Sequence, residues 1–114
     1  MKIESYKFGT IVIDGREYHK DLIVGMTGVQ ENWRRQAGHK LAVKDIRHVV
    51  EEQKPDVLIV GQGKFGMMKI LPETREYLNN HGIQLISEFT SQAVETFNRM
   101  AEKEKVIAAL HLTC

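Results

Sequence analysis

Trp33, Arg34 and Arg35, followed closely by His39, are the densest group of recognition chemistry in the sequence. An arginine guanidinium offers a fixed fork of N–H donors matched to carboxylate or phosphate oxygens. Read as chemistry, the group is an anion clamp. Read as architecture, Trp33 anchors a long loop on the core while the arginines pair with surface acids, an arrangement of small energetic weight. A second candidate is Gly61-Gln62-Gly63-Lys64-Phe65-Gly66, which has the G-x-G-x-x-G form, with Glu88 further on where a ribose-binding acid would fall. That fingerprint requires its glycines to open a helix directly, so that pyrophosphate sits at the helix N-terminus. Here residues 67–71 intervene before Pro72, and the chain is too short for two mononucleotide-binding halves. Gln62, Gly63 and Lys64 are left as a plain turn or as a backbone nest for some other anion. No cofactor is expected.

His111 and Cys114 could act as a base and a thiolate. A residue at the end of a sequence is usually mobile, which suits positioned catalysis poorly, so Cys114 also reads as inert. His19, His39, His48 and His81 show no metal-ligand spacing, and no metal is expected. Without a nucleophile–base pair or a ligand cluster, the residues favour a binding protein over an enzyme.

The wider composition narrows the classes. The 114 residues suit one α/β domain, 1–114. Lys and Arg number 16 against 15 Asp and Glu, for a net charge of +1 with both signs mixed along the chain. A nucleic-acid binder usually shows a basic excess or stripe, so nucleic acid is not expected as a partner. The lone cysteine fits a reducing compartment. The first residues carry Lys2, Glu4 and Lys7 in place of an apolar signal region. No apolar run approaches the ~18 residues of a membrane helix. The reading is cytoplasmic, away from membranes.

The elements that must position these residues follow from patterning. Residues 9–13 are apolar and β-branched, and Asp14-Gly15 after them is a strong type I′ hairpin signal. Residues 16–24 then read as the return strand, and 25–41 as a long irregular segment. Residues 42–53 place Val43, Ile46, Val49 and Val50 on one helical face, although Ala42 is a poor cap. The continuous apolar run 57–60 predicts a strand covered on both sides. Pro72 opens a helix over 72–81 that Gly82 ends, with His81 at its C-terminus, and 83–87 is the next strand. Thr90 or Ser91 caps a third helix with Ala93, Phe97, Met100 and Ala101 in one stripe, and 106–110 is a final buried strand.

Helix–strand alternation of this kind implies a mostly parallel sheet, made mixed by the N-terminal β-hairpin. Short connections bring the loop after residue 60, the loop at 88–90 and the end of the 25–41 segment to one edge, the carboxyl ends of the strands. If the last strand is parallel, 111–114 emerges there too. The site expected at that edge consists of Arg34, Arg35, His39, Gln62, Gly63 and Lys64, with Trp33, His111 and Cys114 as secondary members. An exposed Phe65-Gly66-Met67-Met68 would suggest a contact surface instead.

Several stretches, taken together, resemble a known family. They are Tyr18 with Asp21; Trp33 to Arg35 with Gly38-His39; the Gly61-Gln62-Gly63 turn; 72–83, reading P-E-T-R-E-Y-L-N-N-H-G-I; and the ending His111-Leu112-Thr113-Cys114. The family is the small domain group that includes the adipogenesis-associated domain protein and a mitochondrial respiratory complex I assembly factor, with many uncharacterised microbial members. The resemblance implies a three-layer α/β fold with a central mixed sheet flanked by helices. It implies no catalytic residues, and in one branch it implies work by protein partnership. The leading expectation is a non-enzymatic binding or assembly-helper domain with a protein partner. The alternative is a small enzyme or sensor for an anionic metabolite bound at the strand edge.

Overall fold

Strands buried on both faces build this fold. The computed structural model describes Met1–Cys114 throughout. A central sheet contains β4 (Leu22–Val24), β5 (Val29–Gln30), β7 (Val57–Gln62), β9 (Gln84–Glu88) and β10 (Val106–His111), in the order β5-β4-β10-β7-β9. β10 and β7 run parallel, as do β7 and β9, whereas β4 is antiparallel to both β10 and β5. The sheet is therefore mixed, with its parallel half at β10-β7-β9.

Successive side chains on a strand point to opposite faces. On one face Leu22, Val24, Val57, Ile59, Ala108 and Leu110 pack with Ala93, Val94 and Phe97 of helix α3 (Thr90–Met100). That layer is completed by a small meander of β1 (Ile3–Lys7), β2 (Thr10–Ile13) and β3 (Arg16–Tyr18), which contributes Ile3, Ile11 and Ile13. On the other face Ile23, Leu58, Val60, Ile107 and Ala109 pack with Ile46, Val49 and Val50 of helix α1 (Val43–Gln53) and Leu78 of helix α2 (Pro72–Asn80). The result is three layers with the sheet buried on both sides, which is why β7 and β10 are continuously apolar. No helix is long and apolar enough to cross a membrane.

Asp14 and Gly15 both have positive φ, as a type I′ turn demands. The return strand, however, is shorter than the expected 16–24. It ends at Tyr18, and the chain leaves the meander through residues 19–21 to begin β4 in the central sheet. The 25–41 segment is also less irregular than expected. It contributes β5 and then β6 (Lys40–Leu41), which pairs in parallel with β8 (Lys69–Ile70). At the start of α1, Asp45 compensates for Ala42: its carboxylate accepts the Ala42 N–H at 2.8 Å and the Gln36 N–H at 3.1 Å. His81 follows the last turn of α2, where its Nδ1 lies 2.8 Å from the Tyr77 carbonyl oxygen.

Candidate functional site

β10 leaves the sheet at His111 beside Gln62, the end of parallel β7. Because β4 is antiparallel to β10, its entry coincides with that exit, and Asp21 stands just before Leu22, which faces Leu110. This topology brings Asp21, Arg35 and His111 into contact although they are far apart in sequence. Asp21 Oδ2 accepts from Arg35 Nη2 at 2.8 Å and from His111 Nδ1 at 2.7 Å. Its Oδ1 accepts the Leu112 N–H at 2.8 Å. With Nδ1–H committed to the carboxylate, the 3.2 Å approach of Arg35 Nη2 to Nδ1 places two donors on one oxygen.

Arg35 and His111 are almost wholly enclosed, with side chains 4% and 7% exposed. Burial pushes the Asp21 carboxyl up, but hydrogen bonds from His111, Leu112 and Arg35, and the charge of His111, hold it below the ordinary carboxylate range. The Tyr6 phenol, whose hydroxyl donates to the Leu112 carbonyl at 2.9 Å, is raised by burial and by the negative charge of Asp21.

Trp33 anchors the segment that carries Arg35. It is buried, its Nε1–H donates to the Asp45 carbonyl at 2.9 Å, and Arg35 stacks 4.7 Å from its ring centroid. Arg35 Nε and Nη2 also donate to the Gly38 carbonyl at 3.0 and 2.7 Å. This closes the Ala37–Lys40 turn and sets the His39 ring edge-on to His111, with centroids 5.6 Å apart.

Gly63 lies against the same histidine. With φ near +99°, it passes so close that an added Cβ would meet the Cys114 carbonyl carbon at 2.5 Å and His111 Cδ2 at 2.8 Å. Thr90 joins these strands. Its hydroxyl accepts the Gly63 N–H at 2.8 Å and donates to the His111 carbonyl at 2.6 Å. Thr90 is thus the first residue of α3 and not its cap; Phe89 holds the capping position with no side-chain bond, and Ser91 lies inside the helix.

The structure therefore brings together Trp33, Arg35, His39, Gly63, His111 and Cys114 at one sheet edge. Arg34 stays outside the cluster, in a neighbouring cleft of about 340 Å³ lined by His19, Lys20, Asp21, Trp33, Arg34 and Thr113. The Gly61–Gly66 backbone does not form an open nest, because three of the four N–H groups from Gly63 to Gly66, all but that of Phe65, are committed within the protein. Gly63 donates to Thr90, Lys64 to the Thr113 carbonyl and Gly66 to the Gly63 carbonyl. The Gln62 side chain donates to the Met68 carbonyl, and the Lys64 ammonium lies 5.7 Å from the Phe65 ring centroid. Cys114 is not a free tail either: its carbonyl accepts the Met67 N–H at 3.0 Å.

Asp21 and Thr90 were absent from the expected site. Asp21 carried a readable signal, a carboxylate directly before the Leu22-Ile23-Val24 run, but a return strand drawn through it hid its place at a strand entry. Thr90 reads as a helix cap from sequence, and only the parallel exits of β7 and β10 reveal its other role.

The largest cavity, about 480 Å³, lies at the opposite end of the sheet, where α1 and α2 finish and β7 and β9 begin. Lys54, Pro55, Asp56, His81 and Gly82 are among its walls, but it gathers no buried unpartnered polar atom. The strand-exit edge is chemically the richer of the two.

A three-layer α/β domain with a mixed sheet and a buried Asp–Arg–His cluster at the strand exits is thus the class defined by fold and site. Residues 3–111 match the model of a family described as "Protein of unknown function (DUF498/DUF598)", and the chain belongs to that family. The structure is similar to that of a conserved hypothetical protein from Pyrococcus horikoshii OT3, at 29% identity and a TM-score of 0.85 over 100% of both chains. It is also similar to a structure described as an outer membrane protein from Bartonella henselae, at 26% identity and a TM-score of 0.82, over 98% of this chain and 94% of that one. A Mth938-like domain from Bordetella pertussis shares the fold at 18% identity and a TM-score of 0.77, over 97% and 85% of the two chains.

Proposed function

We propose that the protein is a non-enzymatic binding domain, an assembly helper that receives a protein partner at the strand-exit edge. One observation carries this reading. Phe65, Met67 and Phe89 stand 62%, 48% and 50% exposed, and the Phe89 ring lies against Gly66, between the other two in sequence, 2.8 Å from where a Cβ would be. Aromatic residues and methionine are enriched at interface cores, where a ring contributes large apolar area and a thioether adapts to its neighbour. Neighbouring Met68, by contrast, is core.

The rim of this patch is cationic. Lys64 lies over Phe65, Lys69 Nζ donates to the Gly66 carbonyl at 2.7 Å, and Lys40 is the register partner of Lys69. The complementary partner is a protein segment that presents an apolar side chain flanked by carboxylates. A second copy of the same patch would set lysine against lysine, which disfavours self-association there. The sequence resemblance to a family with an assembly factor among its members supports the same class of function.

The test is affinity capture from an extract of the source cells with the wild-type protein and with Phe65→Ser/Phe89→Ser. The reading expects a protein held by the wild type, released by added salt and absent from the variant. Identical captured sets from the two proteins would contradict it.

A further inference from the structure

Beside the apolar patch, two enclosed nitrogen atoms have no hydrogen-bond partner: Arg35 Nη1 and His111 Nε2. Both belong to side chains more than nine-tenths buried. Leaving such groups unsatisfied is costly, and more so where the group is charged. Native proteins fill positions of this kind with water, an ion or a ligand.

The surroundings choose among these. Asp21 is the one carboxylate bonded to the pair, and both its oxygens are already committed. Arg35 Nη1 is a permanent donor, and Nε2 becomes a second donor when His111 takes up a proton. Arg35 and protonated His111 against Asp21 leave one positive charge in excess. Two enclosed, unpartnered nitrogens on side chains in contact with each other, with positive charge in excess once His111 is protonated, suit a negatively charged oxygen.

We propose that Arg35 Nη1 and His111 Nε2 form a binding site for a small oxyanion, a carboxylate or phosphate group, which takes one N–H from each. Access runs through the Ala37–Lys40 turn. It is held by the two bonds that Arg35 makes to the Gly38 carbonyl and by the Lys69 N–H on the His39 carbonyl at 2.8 Å, and it lays the exposed His39 ring on His111. Lifting that turn uncovers the histidine and frees a further edge of the guanidinium for a second ligand oxygen.

Binding is coupled to proton uptake. The titratable and charged groups around His111 are Asp21, Arg35 and His39, with Cys114 beyond Gly63 and Tyr6 on the Leu112 carbonyl. The second imidazole, His39, is the one to control for. A ring that must donate through both nitrogens to hold the anion binds it more tightly as pH falls.

The probes are inorganic phosphate and acetate, titrated separately into the whole ¹⁵N-labelled protein near pH 6 and pH 7.5 while the histidine ring nitrogens are followed by NMR. The expected result is a saturable shift of His111 Nε2 toward its protonated value, tighter at the lower pH, retained in His39→Gln and lost in Arg35→Met. Arg35→Met need not fold for the test to decide, because the wild-type ring resonance reports binding directly. A His111 ring unmoved by high millimolar phosphate and acetate overturns the proposal and leaves water as the occupant. It leaves the partner-binding reading untouched, since that rests on Phe65 and Phe89.

Discussion

Replacing Asp21 removes the anion that three donors share, and the loss can be worked from the structure. Arg35 is 4% exposed and bonds to no other carboxylate, so Asp21→Leu strands a buried guanidinium. Breaking one side of a buried pair costs about 3–5 kcal/mol, a range that includes the orphaned Leu112 N–H. At about 4 °C per kcal/mol for a chain of this size, the melting temperature falls by about 12–20 °C. Arg35→Met is milder, about 1–3 kcal/mol, because Asp21 keeps its bonds to His111 and Leu112. The double variant Asp21→Leu/Arg35→Met leaves no stranded charge and loses less than the two single losses together, by at least about 1.5 kcal/mol. Urea unfolding at pH 7 measures all four proteins, with equal denaturant slopes as the check on two-state behaviour. The acid limb supplies a second readout. The folded Asp21 carboxyl titrates below its unfolded value, so its stabilisation is complete above about pH 4 and is lost as pH falls through the folded value. Stability therefore falls more steeply below pH ~4 in the wild type than in Asp21→Asn. Additivity within about 0.5 kcal/mol, together with matching acid limbs, would refute this account of the cluster.

Three further outcomes follow from the same edge. Thr90→Val leaves the Gly63 N–H and His111 carbonyl unpaired and should cost about 2–4 kcal/mol in urea unfolding, whereas Thr90→Ser should lose less than about 1 kcal/mol. Gly63→Ala forces a Cβ into the Cys114 carbonyl at a φ near +99°; it should cost about 2–4 kcal/mol and lower hydrogen-exchange protection at the Lys64 and Met67 amides, which are bonded to the displaced tail. The neutral Tyr6 phenol is favoured in the fold, first by burial and then by Asp21, so its contribution is complete below pH ~10 and is lost as pH rises through its folded value. The stability gap between wild type and Tyr6→Phe should accordingly narrow in alkaline unfolding measurements.

How much of this edge is visible in the sequence depends on how local each signal is. The Asp14-Gly15 turn, the apolar runs of β7 and β10 and the 3.6-residue stripe of α3 are local, and each is legible. The place where Trp33, Arg35 and His39 meet Gly63 follows from chain direction, because strand exits and helix starts share an edge whatever the side chains do. What escaped is non-local. Asp21 matters because an antiparallel strand enters where a parallel one leaves, and β4 is too short to announce itself against the hairpin before it. The committed amides of the Gly61–Gly66 backbone are equally hidden, since their acceptors come from Thr90 and from the residues after β10. Arg34 and Arg35 look interchangeable as a dipeptide, yet one lines an open cleft and the other is sealed against Trp33.

The claim that this edge is where the protein meets its partner is tested most directly by site-specific photocrosslinking. A photoreactive phenylalanine analogue placed at Phe65 or Phe89 samples the strand-exit edge, and one at Lys54 samples the larger cavity at the opposite end. The account predicts a crosslinked protein adduct from positions 65 and 89 and none from position 54. An adduct from position 54 alone would place the partner at the wrong end of the sheet and contradict it.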